Sequence, residues 1–413
     1  VQSYTDALTL GANTALVTTN SNVSFTSTLN SSEALATAGT PAPATLSITA
    51  GTGYVTFGNI VGGATYTATN GALGAVTLVS ATNVGINAAF TAASLTQQAG
   101  AGSGTTIIGG ATTLTGALGF TGGNLVINAA VGAGGTVSFT GSALTVNAAV
   151  TAGGAVTVAN TGTFTTIAAG SITAAGAFNQ TGAGANSLAG NVSLTLSSAA
   201  LSFATAVTLT GNVVFSTTNG AATFAEVVDG TADNDQNLTL NAGTGVVTFA
   251  KALGAVKKLG DVVANSTGAT KFEGAVLAKS LTTNAGGSTE LSADVTTTAA
   301  QSFGDALSLK NNIILSGTDI TLAQTVNSDG TARTLQVTGS GVTTFGGIVG
   351  GTAELASLTV DGGGTTLLNA GTVTTAGAQS YTDAVTLGAD TTLVTTNSSV
   401  GFTSTLNSLA SLS

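Results

Sequence analysis

The sequence predicts an all-β protein folded as a parallel β-solenoid, and three observations carry that prediction. Long stretches recur at fixed spacing, and segments of a few residues alternate apolar and polar side chains with the period of a β-strand. Glycine and asparagine separate these segments, and the sequence lacks the features typical of helices. Units of about 20 residues with short strands are typical of solenoid coils, which bury their apolar faces only by stacking.

The longest repeat is VQSYTDALTLGANTALVTTNSNVSFTSTLNS, residues 1–31, which recurs at 378–408 with six mild substitutions and no insertion. A weaker third copy, AQSFGDALSLKNNIILSG, begins at Ala300. A second motif reads LSITAGTGYVTF at 46–57, LTLNAGTGVVTF at 238–249 and LQVTGSGVTTF at 335–345. Each copy of this second motif predicts two strands joined by a glycine turn, the second strand ending in phenylalanine.

The spacing of these motifs predicts how the coils stack. Strand clusters begin at Leu238, Leu259 and Leu281, and the pairs Gln98/Gln180 and Gln301/Gln379 are each separated by about four units of roughly 20 residues. We therefore expect one continuous repeat region over residues 1–413, with about 20 coils of parallel, in-register strands and no sizeable helix. The residues expected to point inward are Leu46, Ile48, Val55, Phe57, Leu238, Leu240, Val247, Phe249, Leu335, Val337 and Phe345.

Neither end of the sequence reads as a polar cap, because residues 1–31 and 378–408 are ordinary repeat sequence. Open coil ends expose unpaired backbone groups and invite further strands. The sequence thus leads us to expect that further β-coils continue both ends, either covalently in a giant protein or through end-to-end stacking of subunits.

Charge is distributed unevenly along the chain. Residues 34–225 contain no Asp, Glu, Lys or Arg, whereas residues 226–413 carry charges of both signs, including all seven basic residues. Because mixed surface charge helps to keep proteins apart, the charge-free section is expected to pack laterally against a copy of itself or against another neutral surface. The chain offers few cations for phosphate contacts, so a nucleic-acid partner is not expected. Polar residues interrupt every apolar run, so no membrane-spanning helix is expected either.

Composition also limits the chemistry that this chain can perform. It has no Cys and no His, which excludes Ser-His-Asp and Cys-His machinery and thiolate zinc sites, and no cofactor is expected. The remaining acidic candidates are Asp229, Asp233 and Asp235 in DGTADND. They predict a polar loop, and the more specific alternative is a calcium site. The Asp-x-Asp-x-Asp-Gly order of an EF-hand is missing. Lys257 and Lys258 could contact an anionic partner, but nearby acidic residues favour a solvated face.

Several runs resemble a known family: GAGANSLAGNVSLTL, AVTLTGN, DGTADNDQNLTLNAGTGVVTF and LASLTVDGGGTTLLNAGTVTTAGAQSYTDAVTLGADTTL. They are similar to the repeat regions of very large bacterial surface exoproteins, the filamentous-haemagglutinin-like β-strand-repeat adhesins. The likeness covers nearly the whole chain, although neither the family's secretion domain nor a C-terminal barrel is visible. It implies a right-handed parallel β-helix outside the cell, on the bacterial surface. This would be the non-catalytic shaft of an adhesin or fibre, with copies of itself and host-cell or matrix glycans as partners.

Three alternatives remain beside this prediction. An outer-membrane barrel also alternates apolar and polar residues, but it needs longer strands and aromatic girdles, and this chain has no Trp and four Tyr. A β-helix enzyme acting on carbohydrates would need clustered acidic residues, which residues 34–225 cannot supply. An ice-binding solenoid would need a regular Thr-x-Thr in every coil, and threonine is common here but less regular than that.

Overall fold

The fold consists of short parallel β-strands stacked as the coils of a β-solenoid of about 18 turns, and no helix occurs among the described residues. A computed structural model describes residues 1–32, 43–63, 71–98 and 104–409. The predicted fold class is confirmed, and about 18 turns agrees with the expected number of coils. The chain divides into two compact units, unit 1 (Val1–Ala200) and unit 2 (Leu201–Ser413). That the repeat region is single and continuous stays a prediction.

Unit 1 contains 22 described strands, most of them three to five residues long. They are β1 (Gln2–Tyr4), β2 (Leu8–Leu10), β3 (Thr14–Val17), β4 (Val23–Phe25), β5 (Leu29–Ser31), β6 (Leu46–Thr49), β7 (Tyr54–Phe57), β8 (Leu73–Ser80), β9 (Asn83–Ile86), β10 (Phe90–Gln97), β11 (Thr105–Ile108), β12 (Thr112–Leu114), β13 (Leu118–Ile127), β14 (Val131–Ala133), β15 (Val137–Val146), β16 (Val150–Ala152), β17 (Val156–Asn160), β18 (Phe164–Thr166), β19 (Ile172–Ala174), β20 (Phe178–Gln180), β21 (Asn186–Leu188) and β22 (Val192–Ser197).

These strands form three parallel sheets, because each turn contributes one strand or half-strand to each sheet. Sheet 1 contains β1, β4, β7, β9, β11, the ends of β13 and β15, β18 and β21. Sheet 2 contains β2, β5, Val61, the start of β10, β12, β14, β16, β19 and β22. Sheet 3 contains β3, β6, β8, the end of β10, the starts of β13 and β15, β17 and β20.

Unit 2 contains the remaining described strands. They are β23 (Leu201–Phe203), β24 (Val207–Leu209), β25 (Val213–Thr218), β26 (Ala222–Phe224), β27 (Val228–Asp229), β28 (Leu238–Gly243), β29 (Val247–Phe249), β30 (Leu259–Ser266), β31 (Ala269–Phe272), β32 (Val276–Thr283), β33 (Ser288–Leu291), β34 (Val295–Thr297), β35 (Gln301–Phe303), β36 (Ala306–Leu309), β37 (Ile313–Gly317), β38 (Ile320–Leu322), β39 (Val326–Ser328), β40 (Thr334–Gly339), β41 (Val342–Phe345), β42 (Ser357–Asp361), β43 (Thr365–Leu368), β44 (Thr372–Thr375), β45 (Gln379–Tyr381), β46 (Ala384–Leu387), β47 (Thr392–Thr395), β48 (Val400–Phe402) and β49 (Leu406–Ser408).

Unit 2 has the same organisation in three parallel sheets. Sheet 4 contains β23, β26, β29, β31, β33, β36, β39, Val349, β44 and β47. Sheet 5 contains β24, β27, Leu253, the start of β32, β34, β37, β40, β42, β45 and β48. Sheet 6 contains β25, β28, β30, the end of β32, β35, β38, β41, β43, β46 and β49.

The core lies inside the turns, where apolar side chains of successive coils stack on one another. All eleven residues predicted to point inward are buried. In unit 2, Phe203, Phe224, Phe249 and Phe272 form a continuous stack, with ring centroids 5.5, 5.1 and 5.4 Å apart and nearly parallel planes. Alternation therefore identified the inward face correctly, because one side chain in two must leave water when coils stack.

The repeated stretch shows how burial depends on stacking. In unit 1, Val23 and Leu29 are fully buried, because Val55 and Val61 of the next coil cover them. The equivalent side chains in unit 2, Val400 and Leu406, are 38% and 48% exposed, since no strand among the described residues pairs beyond them. A coil thus buries its apolar face only through its neighbours, as the sequence predicted.

Candidate functional surfaces

Hydroxyl side chains line the outward face of sheet 2 in register from coil to coil. The central residue of each short strand lies opposite the central residue of the next, so the outward positions form one column along the sheet. This column, called the sheet 2 ladder, consists of Thr91, Thr113, Gly132, Thr151, Thr173 and Ser193. All six are at least partly exposed. The regular strand spacing of about 4.8 Å therefore becomes a regular spacing of hydroxyl groups.

The other two sheets of unit 1 carry similar columns of small, mostly hydroxyl-bearing residues. On sheet 3 the column runs Ser47, Thr77, Thr96, Gly119, Ser138, Thr157 and Asn179. On sheet 1 it runs Ser3, Ser24, Thr56, Gly85, Ile107, Val126, Thr145, Thr165 and Ser187. Among the described residues of unit 1, Asp6 is the only acidic or basic side chain. All three faces of unit 1 are thus nearly uncharged.

Unit 2 instead places charged residues on sheet 4. Lys271 lies directly opposite Glu290 on the neighbouring strand, and their charged groups are 3.7 Å apart. Lys310 approaches the other oxygen of Glu290, also at 3.7 Å. These pairs are partly exposed, so each contributes about 0–1 kcal/mol to stability. Their main effect is to give this face alternating charge, unlike the faces of unit 1.

The structure places Asp229 at the end of β27 and Asp233 and Asp235 in the loop that follows, and it gives each of the three acidic residues a separate partner. Asp229 accepts a hydrogen bond from the Val256 backbone N–H at 2.9 Å. Asp233 accepts one from the Lys258 backbone N–H at 2.9 Å, and its other oxygen is 3.8 Å from Lys257 Nζ. These bonds attach this segment to the corresponding loop of the next coil.

Asp235 makes a bond within its own loop instead. It accepts a hydrogen bond from Gln236 Nε2 at 2.7 Å. Gln236 is buried, and its Oε1 accepts the backbone N–H groups of Thr231 and Ala232 at 2.8 and 3.1 Å. The structure therefore uses the acidic side chains to close the loop. Within the described ranges, no three His, Cys, Asp or Glu side chains converge as a metal site would require.

Asparagine side chains at the corners have a role that sequence reasoning missed. Asn20 Oδ1 accepts the Thr52 backbone N–H at 3.0 Å, and Asn219 Oδ1 accepts the Thr244 backbone N–H at the same distance. Both asparagines have positive φ, 54° and 61°, a conformation that asparagine tolerates better than most residues. Each bond connects a corner to the next coil. The sequence signal was present, since asparagine recurs between strands, but it indicates turns in general.

In two of its three copies, both in unit 2, the Gln-Ser-aromatic-x-Asp part of the repeat forms a buried polar clamp. In the third copy, Gln301 Nε2 donates to the carbonyl oxygens of Ser316 (2.8 Å) and Val295 (3.3 Å) and to Thr297 Oγ1 (3.3 Å). Asp305 Oδ1, four residues on, accepts the Gly287 backbone N–H at 2.7 Å. Gln301 contacts the following coil through Ser316, and Asp305 contacts the preceding coil. The motif therefore connects three successive coils.

The last copy of the motif forms the same clamp on a different sheet. Gln379 Nε2 donates to the carbonyl oxygens of Val394 (2.9 Å) and Val373 (3.1 Å) and to Thr375 Oγ1 (3.3 Å). Gln301 lies on sheet 6 and Gln379 on sheet 5, so the two are one strand short of four full turns apart. The same contacts form at two different corners, because the corners of a three-sheeted coil are geometrically similar.

Burial raises the pKa of Asp305 above its ordinary value of 3.8, although hydrogen bonds from Gly287 and Thr289 act in the opposite direction. A raised pKa means that the folded chain binds this proton more tightly than the unfolded chain. The contribution of Asp305 to stability is then greatest below pH 3.8 and is lost as the pH rises through the raised pKa.

We predict that Asp305→Asn raises the stability of unit 2 at neutral pH. The amide oxygen can still accept the Gly287 N–H, whereas the buried charge is removed. The loss of stability with rising pH should become smaller in the variant. Thermal unfolding between about pH 3 and pH 8 tests this. Asp319→Asn removes an exposed charge that also accepts a backbone N–H, from Val342, and serves as the control. A variant less stable than the wild type at neutral pH would contradict the prediction.

The fold and these surfaces define the class of protein: a parallel β-solenoid repeat protein whose described coils each contribute to three sheets. Compared with known proteins, the chain matches no family model, no curated protein and no solved structure. No helix in the described part of the chain is long and apolar enough to cross a membrane.

Proposed function

We propose that this chain is a structural, non-catalytic segment of an extracellular bacterial surface fibre or adhesin shaft. Its coils would supply a regular scaffold, and copies of the chain would associate side by side. The observation that carries the proposal is the uncharged outward surface of unit 1, with its in-register columns of hydroxyl groups. The resemblance of the repeats to surface exoproteins supports the location outside the cell.

The sheet 2 ladder is the face that we assign to lateral contact. A hydroxyl group both donates and accepts hydrogen bonds, so a column of threonines is complementary to another copy of itself. Both columns also repeat with the same strand spacing of about 4.8 Å, which allows many equivalent contacts to form together. A nearly uncharged face provides no repulsion against its copy. The face of sheet 4 in unit 2 carries charged residues, so it is not uncharged in this way.

Replacing Thr113 and Thr151 together with lysine should weaken lateral association. The two positions lie two turns apart on the exposed ladder, and two copies would bring like charges together. We expect the concentration at which bundles form to rise by at least about tenfold. Sedimentation and negative-stain imaging of the wild type and the variant measure this effect.

Two further variants serve as matched controls for the lysine substitutions. Thr113→Ser with Thr151→Ser keeps both hydroxyl groups and should associate as the wild type does. Gly132→Thr completes the ladder at a position where an added Cβ meets no atom within 4 Å. This variant should lower the concentration at which bundles form. A wild-type chain that stays monomeric at all concentrations, or lysine variants that bundle unchanged, would refute the lateral contact.

A further inference from the structure

Two corners of unit 2 hold a buried aspartate of the repeated motif, and they differ in one respect. At the Asp305 corner both carboxylate oxygens have partners. Oδ1 accepts the Gly287 backbone N–H at 2.7 Å, and Oδ2 lies 3.4 Å from the hydroxyl of Thr289. Asp305 is 1% exposed and Thr289 is fully buried, so the carboxylate is enclosed and hydrogen-bonded.

At the Asp383 corner only one carboxylate oxygen has a partner. Oδ1 accepts the Gly363 backbone N–H at 2.9 Å, but the buried Oδ2 makes no hydrogen bond. The hydroxyl oxygens of Thr366 and Thr343 are also buried and without a hydrogen-bond partner. Exposure is 4% for Asp383, 1% for Thr366 and 0% for Thr343. Unpartnered buried polar groups cost about 1–3 kcal/mol each, so three together need an explanation.

The two corners differ in which glycine N–H holds the carboxylate. They have the same length, because Thr283 and Thr289 pair with Phe303 and Leu307, whereas Val360 and Thr366 pair with Tyr381 and Val385. Gly287 lies beside Asp305 and donates to it, but at the second corner Gly364 lies beside Asp383 and the donor is Gly363, one residue earlier. The Asp383 carboxylate is therefore held one residue farther from its threonine, and the direct contact seen between Asp305 and Thr289 is absent between Asp383 and Thr366.

The register places the three unpartnered groups in the same interior region. Thr343 and Thr366 are paired across neighbouring strands of sheet 6. Thr365 is paired with Ala384, so Asp383, the residue before Ala384, lies beside Gly364. Asp383, Thr366 and Thr343 thus belong to three successive coils at one corner, and all three side chains are buried on the inner side.

We propose that a water molecule is enclosed at this corner and bridges Asp383 Oδ2 and Thr366 Oγ1. The water donates one hydrogen to the carboxylate and accepts the hydrogen of the Thr366 hydroxyl. Its second hydrogen is directed to Thr343 Oγ1, which gives it three partners, the usual number for buried water. A calcium ion does not fit this set, because calcium sites draw on more oxygen ligands and usually several carboxylates.

Crystal structures of three chains, at a resolution that places solvent, test the proposal. In the wild type we expect one water within about 3.2 Å of both Asp383 Oδ2 and Thr366 Oγ1. Thr343→Val combined with Thr366→Val removes both hydroxyl partners, so the water should be gone. Thr366→Val alone keeps the side-chain shape and removes one partner, so it should also lose the water, which covers the case in which the double variant does not fold.

Other outcomes would overturn the proposal. One is a direct Asp383–Thr366 hydrogen bond in the wild type, because no water would then bridge the two groups. Another is density at the site with the coordination and anomalous signal of a metal ion. A third is a water that remains in place in Thr366→Val, because Thr366 would then not hold it.

Discussion

Replacing Phe249 with alanine should destabilise unit 2 by about 3–5 kcal/mol. Phe249 is 1% exposed and is stacked between Phe224 and Phe272, with ring centroids 5.1 and 5.4 Å away. The substitution leaves a cavity and removes both ring contacts, each worth about 0.5–1.5 kcal/mol beyond the buried area. Because each coil contacts mainly its neighbours, we expect the loss to be concentrated in β26, β29 and β31.

Amide hydrogen exchange resolved along the chain measures this effect. A loss of about 3 kcal/mol corresponds to exchange faster by more than a hundredfold in the affected strands. Thr248→Ala, on the outward side of the same strand, is the control and should change stability by no more than about 0.5 kcal/mol. The loss of stability in Phe249→Leu should lie between those of Phe249→Ala and Thr248→Ala. Equal loss of protection in every strand of unit 2 would show that the coils unfold together and that the assumption of local stability is wrong.

The same side chains explain why the fold could be predicted from the sequence. Val247 and Phe249 alternate with the polar Thr248, and this pattern repeats with the coil length, so both the inward face and the stacking were visible. No long-range pairing had to be guessed, because each coil pairs with the next one along the chain. Alternation and spacing together therefore define a solenoid more completely than they define most folds.

Buried polar residues could not be predicted in the same way. Gln301 and Asp305 were recognised as repeated, but a glutamine or aspartate carries no sequence signal for burial, since these residues are usually exposed. Their role depends on carbonyl and N–H groups of other coils, whose positions follow from the corner geometry. The sequence also could not show that Gln301 and Gln379 lie on different sheets. Their spacing indicates about four coils, but coil lengths vary, so it does not distinguish four full turns from four turns less one strand.

The sequence indicated where the acidic side chains lie, but not which groups they bind. The sequence indicated a polar loop at Asp229, Asp233 and Asp235, and the structure gives each carboxylate a hydrogen bond within or between loops. A calcium site would have required the carboxylates to converge, which spacing alone could not establish, because the directions of side chains in an irregular loop depend on the neighbouring coil.

Replacing Gln301 with leucine should destabilise its corner by about 2 kcal/mol. Leucine has a similar size but cannot donate to Ser316, Val295 and Thr297, so buried oxygen atoms on two successive strands of sheet 5 lose a donor. We expect hydrogen exchange to accelerate by about thirtyfold in β34 and β37. Gln336→Leu is the control, because its amide makes one hydrogen bond, to Asp361, and both side chains are partly exposed, so water can take its place.

A second substitution should act in the opposite direction at the same corner. The buried Oε1 of Gln301 has no hydrogen-bond partner, whereas Oε1 of Gln379 accepts the Tyr381 hydroxyl at 3.2 Å. Phe303 occupies the position that corresponds to Tyr381, so Phe303→Tyr should supply the missing donor and slow exchange at this corner by up to about tenfold. In the Gln301→Leu background the new hydroxyl has no acceptor and should destabilise instead. Equal effects of Phe303→Tyr in both backgrounds would show that Gln301 does not act as a hydrogen-bonding clamp.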